Sequence, residues 1–385
     1  MRRSGLDDVI PRVGEIVADV QARGDAALLE WTERFDGPFG VGERPQLRVT
    51  PATIGGAAID DDVLDSVRSL AAAVREVSLS QRPRDTLVEA VPGIVTERRW
   101  LPLASVGVYV PGGRAAYPSS LVMTAVPAGV AGVERIVVVT PRPAEVTLAV
   151  ARELGIDEVY AVGGAQAIAA LAYGTKTIAP VDKIVGPGNR YVTAAKLLVS
   201  SRVAIDLPAG PSEVVVIADA SADPGQCAAD LLAQAEHGPD SEAILLSLDR
   251  ALAAAVRTIV SGRDNISVED VSSLDDALAR SDGYAPEHLE LWLADPEPVV
   301  ERVRNAGTIF IRTSAVVGDY ASGATHVLPT GGLARGAGGL GLESFLKAVQ
   351  VVRASSSGLD RAREIALPLA RIEGLPLHAA ALDAR

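Results

Sequence analysis

Near the N-terminus Val9, Val13, Ile16, Val17 and Val20 fall three and four residues apart, the spacing of one buried helix face. Ala27, Leu28, Trp31 and Phe35 continue the pattern, so residues 8–90 read as helical. The texture then changes. VGVYV (106–110), IVVVT (136–140), EVYAV (158–162) and KIV (183–185) are short β-branched runs, each ending in glycine or proline ahead of a helix candidate. That alternation predicts βαβ units and a parallel sheet. A second series follows in VVVIAD (214–219), AILLSL (243–248), LELWL (289–293) and TIFI (308–311), with a helix expected over Pro224–His237. Two α/β lobes are predicted, with a boundary near AGPSE (209–213), and the Ala-rich tail from Leu342 to Arg385 reads as helical. No solenoid repeat, low-complexity tract or heptad interrupts the pattern.

At 385 residues, 48% hydrophobic and 22% charged, the chain has ample core for about two or three domains. The net charge of −13, with no concentrated run of Lys and Arg, argues against a nucleic-acid partner. One cysteine, Cys227, excludes an intrachain disulfide and any multi-thiolate metal site, and a buried filler on a helix is its expected role. A reducing cytoplasm fits. The start, MRRSGLDDVI, meets Asp7 and Asp8 before any apolar segment and does not read as a secretory signal. The longest uncharged stretch, Ala115 to Val133, contains Pro118, Pro127, Gly129 and Gly132 and suits a buried helix and turn rather than a membrane span.

Four histidines carry most of the candidate chemistry. His237 lies in AQAEHGPDS, three residues after Gln234, so on a helix the two share a face and offer an amide oxygen and an imidazole to a divalent metal. A helix C-terminus with a histidine on its dipole is the plainer alternative. His288 follows Glu287 in YAPEHLE, two groups that move protons near neutral pH or simply a surface pair before a strand. His326 and Asp319 flank a Gly- and Ser-containing loop in GDYASGATHVLPTGG, a ligand-wrapping loop or a capped turn. His378 sits in EGLPLHAAA five residues after Glu373, where a tail histidine is ordinarily solvated. Together these residues make a nitrogen- and oxygen-rich set without thiolates, which suits an exchangeable, catalytic metal.

Glycine turns at GVYVPGGR (107–114), VGGAQA (162–167) and VGPGNR (185–190) close predicted strands of the first parallel series. Such turns line a ligand cleft at the carboxyl ends of an open parallel sheet. None is the G-x-G-x-x-G fingerprint, and spacing alone leaves NAD and other phosphate-bearing ligands equally open, as well as plain tight turns.

GVYVPGG, VGGAQAIAALAYGT, VDKIVGPGNRYVTAAK, AGPSEVVVIAD, QAEHGPDS, APEHLEL, GDYASGATHVLPT and EGLPLHAAA occur in this order, preceded by GDAALLEWTERFDG. The chain resembles the histidinol dehydrogenase family over nearly its whole length. The resemblance implies an α/β fold of two Rossmann-like lobes with parallel-type sheets plus helical N- and C-terminal segments. It groups residues 1–108 with 212–341 as a lobe carrying metal and catalytic residues, 109–211 as an NAD-binding lobe, and 342–385 as a tail reaching the partner of a homodimer with shared active sites. It assigns zinc to Gln234, His237, Asp319 and His378, proton transfer to Glu287 and His288, and NAD to Tyr109, Gln166 and Asn189. Substrate contacts fall on Ser212, His326 and Glu373, together with the metal set and His288. The implied reaction is the last step of histidine biosynthesis, a four-electron oxidation of histidinol through histidinal with two NAD reduced. The amino alcohol is the small-molecule partner, with no nucleic acid or membrane. Arg312 stands where that family often has glycine, and the segments around 238–287 and 310–319 are short. A paralogue oxidising another small alcohol with NAD, or a zinc hydrolase using Glu287, is the alternative.

Overall fold

Runs of Val and Ile bounded by glycine form strands because branched side chains pack well on a pleated surface. Where both faces are covered, the run is apolar throughout instead of alternating. The computed structural model describes residues 6–37, 46–112 and 116–384. Its strands are β1 (Thr86–Val91), β2 (Ile94–Pro102), β3 (Ser105–Tyr109), β4 (Arg135–Thr140), β5 (Val159–Ala161), β6 (Lys183–Val185), β7 (Ala204–Ile205), β8 (Glu213–Ala218), β9 (Glu242–Ser247), β10 (Ile266–Asp270), β11 (His288–Trp292), β12 (Thr308–Ile311) and β13 (Leu346–Ala354). All eight strands expected from sequence are present. Every residue of β8 is buried.

Two parallel sheets have the orders β5-β4-β3-β6-β7 and β10-β9-β8-β11-β12. In each, the first strand in sequence sits in the middle and the chain winds outward both ways, the arrangement of a Rossmann half. The α/β class with two Rossmann-like lobes is therefore as expected. Helix Pro118–Ala131, inside the uncharged stretch, is buried almost all round and stops at left-handed Gly132 (φ 97°). Cys227 is fully buried, and burial pushes its thiol up to about 12. Among the described residues no helix is long and apolar enough to cross a membrane.

The structure departs from expectation in three places. The helical reading of residues 8–90 runs too far, because Thr86–Val91 is strand β1. The tail is not wholly helical: β13 pairs antiparallel with β2 over nine residues, Leu346 opposite Pro102 through Ala354 opposite Ile94, and β1 completes a third sheet. Helices Ser356–Ile372 and Pro376–Asp383 follow. The N-terminal helices also pack chiefly against the first sheet and its helices rather than residues 212–341, although Val327 and Leu340 join the cluster of Ile54, Leu70 and Val74. Val13, Ile16, Val17 and Leu28 pack with Tyr160, Ile168 and Val192, and Ile54, Leu70 and Val74 pack with Leu121 and Val122. Their apolar stripes find their complement on helices of the 105–205 sheet, and β3 belongs to that sheet from Ser105 onward.

Candidate active site

The three glycine turns meet at the carboxyl edge of the first sheet. Tyr109 ends β3, and its buried hydroxyl accepts a hydrogen bond from Gly164 N–H at 3.2 Å. Burial raises that phenol to about 12. Gln166 is buried beside Gly164, and its Oε1 has no hydrogen-bond partner. Gly186 (φ 112°) closes β6 so tightly that a Cβ would stand 2.2 Å from the Tyr109 carbonyl oxygen, an approach only glycine permits. A buried ion pair holds this turn. The Lys196 ammonium pairs with Asp206 and donates to the Gly186 carbonyl at 3.0 Å, while Asp206 Oδ2 accepts from Gly186 N–H at 2.7 Å. Asn189 caps helix Arg190–Val199, its Oδ1 accepting from Tyr191 and Val192 N–H. That leaves its Nδ2 to donate to a ligand. Gly113 and Arg114 of the first turn lie outside the described residues.

The histidine cluster lies at the opposite kind of edge, where the strands of the second sheet begin. Glu287 immediately precedes β11 and His288 opens it. Both are buried. Ser212 Oγ donates to Glu287 Oε2 at 2.5 Å, and Glu213 N–H donates to the same oxygen at 3.0 Å. Burial outweighs those bonds and lifts the Glu287 carboxyl to about 7. His288 Nδ1 stands 3.7 Å from Glu287 Oε2 and lacks a hydrogen-bond partner. Burial depresses this imidazole to about 4, against the pull of Asp319, so at neutral pH it is uncharged.

Gln234, His237, His288 and Asp319 line one small cavity, with Asp230 and Glu290 beneath them. Helix Pro224–Ala235 presents Gln234, and His237 follows in the turn beyond its end, so the two face the cavity although only one is helical. Asp319 comes from helix Ala315–Tyr320, and its carboxyl is raised by burial, partly offset by His288 and His237. His326 Nδ1 is 3.6 Å from Asp319 Oδ1. Its Nε2 lies 3.4 Å from the Ser120 hydroxyl at the start of helix Pro118–Ala131. Burial lowers His326 to about 4. The two edges thus face each other, and the Gly210 N–H to Thr330 hydroxyl bond ties them again.

The donor set suits a metal. The Nε2 of Gln234 is buried without a hydrogen-bond partner. Turning the amide puts its oxygen there, beside an imidazole and a carboxylate, the nitrogen and oxygen donors zinc accepts. Among the described residues no group of three or more His, Cys, Asp or Glu is gathered closely enough to hold an ion. The fourth expected ligand, His378, is exposed on the tail with Glu373, and neither lines this cavity.

Two residues escaped the sequence reading. Ser120 meets His326 across 206 residues of sequence and carries no local signal. Glu290 did have one: a carboxyl amid an apolar strand, LELWL, where charge is seldom buried without use. Arg312 adopts the left-handed backbone (φ 51°) that glycine takes freely, anchored by its Nε to the Leu293 carbonyl at 3.0 Å.

A sequence profile of histidinol dehydrogenase matches residues 1–385. The histidinol dehydrogenase of Methanosarcina barkeri (strain Fusaro / DSM 804) is 44% identical over 410 residues, covering 100% of this chain and 93% of the relative. That of Rhizobium meliloti (strain 1021) is 46% identical at the same coverage. The crystal structure of histidinol dehydrogenase from Elizabethkingia anophelis superposes with a TM-score of 0.91 at 34% identity, covering 100% of this chain and 93% of the other. With a match across its full length, in sequence and in backbone, this chain belongs to the histidinol dehydrogenase family.

Proposed function

We propose that the protein oxidises L-histidinol to L-histidine with zinc and two NAD, by way of bound histidinal. The observation that carries this reading is the gathering of Gln234, His237, His288 and Asp319 around one cavity beside Glu287, in a chain that matches the family throughout. When bound, zinc would supply Lewis acidity toward the amino alcohol and NAD would supply the hydride acceptor for the two oxidations. Gln234, His237 and Asp319 are the ligands this chain brings to its own site. His288, neutral and lacking a partner on Nδ1, takes the alcohol proton. Glu287, poised near neutrality, takes a proton from the water that hydrates the aldehyde. The turns carrying Tyr109, Gln166 and Asn189 hold the dinucleotide at the facing edge. Ser212 positions Glu287, and His326 borders the substrate space.

The tail serves a second subunit in this reading. Ile365, Leu369, Ile372 and Leu377 are exposed at 53, 54, 84 and 82%, and Leu87, Val88 and Val352 of the third sheet at 66, 55 and 62%. So much uncovered apolar surface on one module marks an interface. A homodimer covers it and delivers His378 and Glu373 to the neighbouring cavity.

Purified protein should form two NADH per histidinol, lose activity with a chelator and regain it with zinc. A hydrolase would form none. His237→Ala should weaken zinc binding; unchanged metal content would remove His237 from the ligand set. Co-expressing His288→Ala with His378→Ala tests the shared site. Both variants should be inactive alone, and random pairing into symmetric dimers should restore about one quarter of wild-type activity. Absence of recovery would rule out exchange of the tail.

A further inference from the structure

Glu290 has no solvent exposure and lies within a parallel sheet, paired with Val216 on β8 and Phe310 on β12. An apolar residue fills such a place at less cost, because a buried carboxyl must recover its lost hydration through internal hydrogen bonds. Both oxygens do so. Oε1 accepts from the Ala315 N–H at 2.7 Å, and Oε2 from the Trp292 indole N–H at 3.1 Å. Ala315 is the first residue of helix Ala315–Tyr320, four before Asp319. Residues two apart on a strand share a face, so Glu290 points to the same side of β11 as His288. The cavity it lines is also lined by Gln234 and by Asp230, one helical turn earlier.

We propose that Glu290 is a positioning residue for the metal set: its hydrogen bond to Ala315 fixes helix Ala315–Tyr320 against β11 and so sets where Asp319 stands relative to Gln234 and His288. The inference rests on the zinc reading above. Partners that orient a ligand are worth about 10–100-fold in metal affinity. Glutamine keeps an accepting oxygen for Ala315 and gives up only the Trp292 bond, whereas leucine keeps the volume and leaves both N–H groups bare. Ala315→Pro removes the Ala315 bond from its other end. Proline is tolerated at the first turn of a helix, and Ser314 (φ −78°, ψ 147°) already has the extended backbone that proline requires of its predecessor.

The experiment measures the zinc dissociation constant by chelator competition, without NAD or substrate, alongside far-UV circular dichroism. Glu290→Leu and Ala315→Pro should each weaken zinc about 10–100-fold. Glu290→Gln should stay within about threefold. The double variant Glu290→Leu, Ala315→Pro should be no worse than Glu290→Leu alone, since leucine already deletes the Ala315 bond along with the Trp292 one. Wild-type affinity in Glu290→Leu or Ala315→Pro, glutamine as damaging as leucine, or multiplying losses in the double variant would each overturn the proposal. If leucine prevents folding, Ala315→Pro and Glu290→Gln decide it. Wild-type protein that binds no zinc would sink the metal reading and this inference together.

Discussion

The two lobes wind five strands in the same order, yet their candidate residues lie at opposite edges. The first offers the carboxyl ends of β3, β5 and β6, where helices Pro118–Ala131, Gly164–Tyr173 and Arg190–Val199 begin. Helix beginnings present bare N–H groups and a partial positive charge, which suit a pyrophosphate. The second offers the starts of β8 and β11, where helices Pro224–Ala235 and Leu274–Tyr284 end. Helix ends present carbonyls and a partial negative charge, which suit a cation. Strand order determines where crevices form; the direction of the helices meeting there determines which charge each crevice welcomes. Side-chain contacts at Ser120–His326 and Gly210–Thr330 link helix beginnings of the first edge to the second, so in the proposed reading the two kinds of charge meet across one gap.

If the edges divide the labour this way, damage at one should leave the other's ligand alone. The largest effect is expected from His288→Ala, which removes the proposed base at the second edge. Turnover should fall roughly 100- to 10,000-fold with zinc content intact, measured by NADH formation beside metal analysis.

Next comes Glu287→Gln in metal-free protein. A carboxyl lifted from 4.5 to about 7 keeps its proton longer when folded than when unfolded. Its favourable share of stability is therefore full below pH 4.5 and is lost as pH rises through 7. Glutamine has no such loss. The variant should gain on wild type up to about 3 kcal/mol by pH 8, and denaturant titrations giving a pH-independent difference would place the carboxyl in water.

Gly186→Ala attacks the first edge. Its left-handed φ and the Tyr109 carbonyl leave no room for a methyl, so the turn must move. The KM for NAD should rise about tenfold or more, with zinc affinity unchanged. A metal defect in that variant would show the edges are not separable. The smallest effect belongs to Asn189→Ala, which loses a helix cap worth about 1 kcal/mol. Thermal unfolding should show it, and a much larger loss of NAD affinity would mean the side chain contacts the dinucleotide directly.

How much of this was readable in advance follows from the range over which each feature is encoded. Four of the five strands in each lobe were, because short apolar runs are a local signal; β7 and β10 were not. Gln234, His237 and Asp319 could be proposed from short motifs that place donors together. β13 could not be found the same way, because its partner β2 lies some 250 residues earlier and LKAVQVVRA sits beside helical sequence. Nor could the seat of the N-terminal helices, whose periodic stripe announces a buried face without naming the surface that buries it.

Composition, periodicity and motif order were enough to establish two α/β lobes, the family and the residues with chemistry to offer. Which edge of each sheet those residues occupy, that His326 meets Ser120, and that Glu290 holds the helix bearing Asp319 emerged only from the folded chain. Local patterns specify how a segment repeats and which side is apolar. They carry no record of the distant surface that completes it, and burial of groups such as Glu287 and His288, which moves their proton affinities, is produced by those distant contacts.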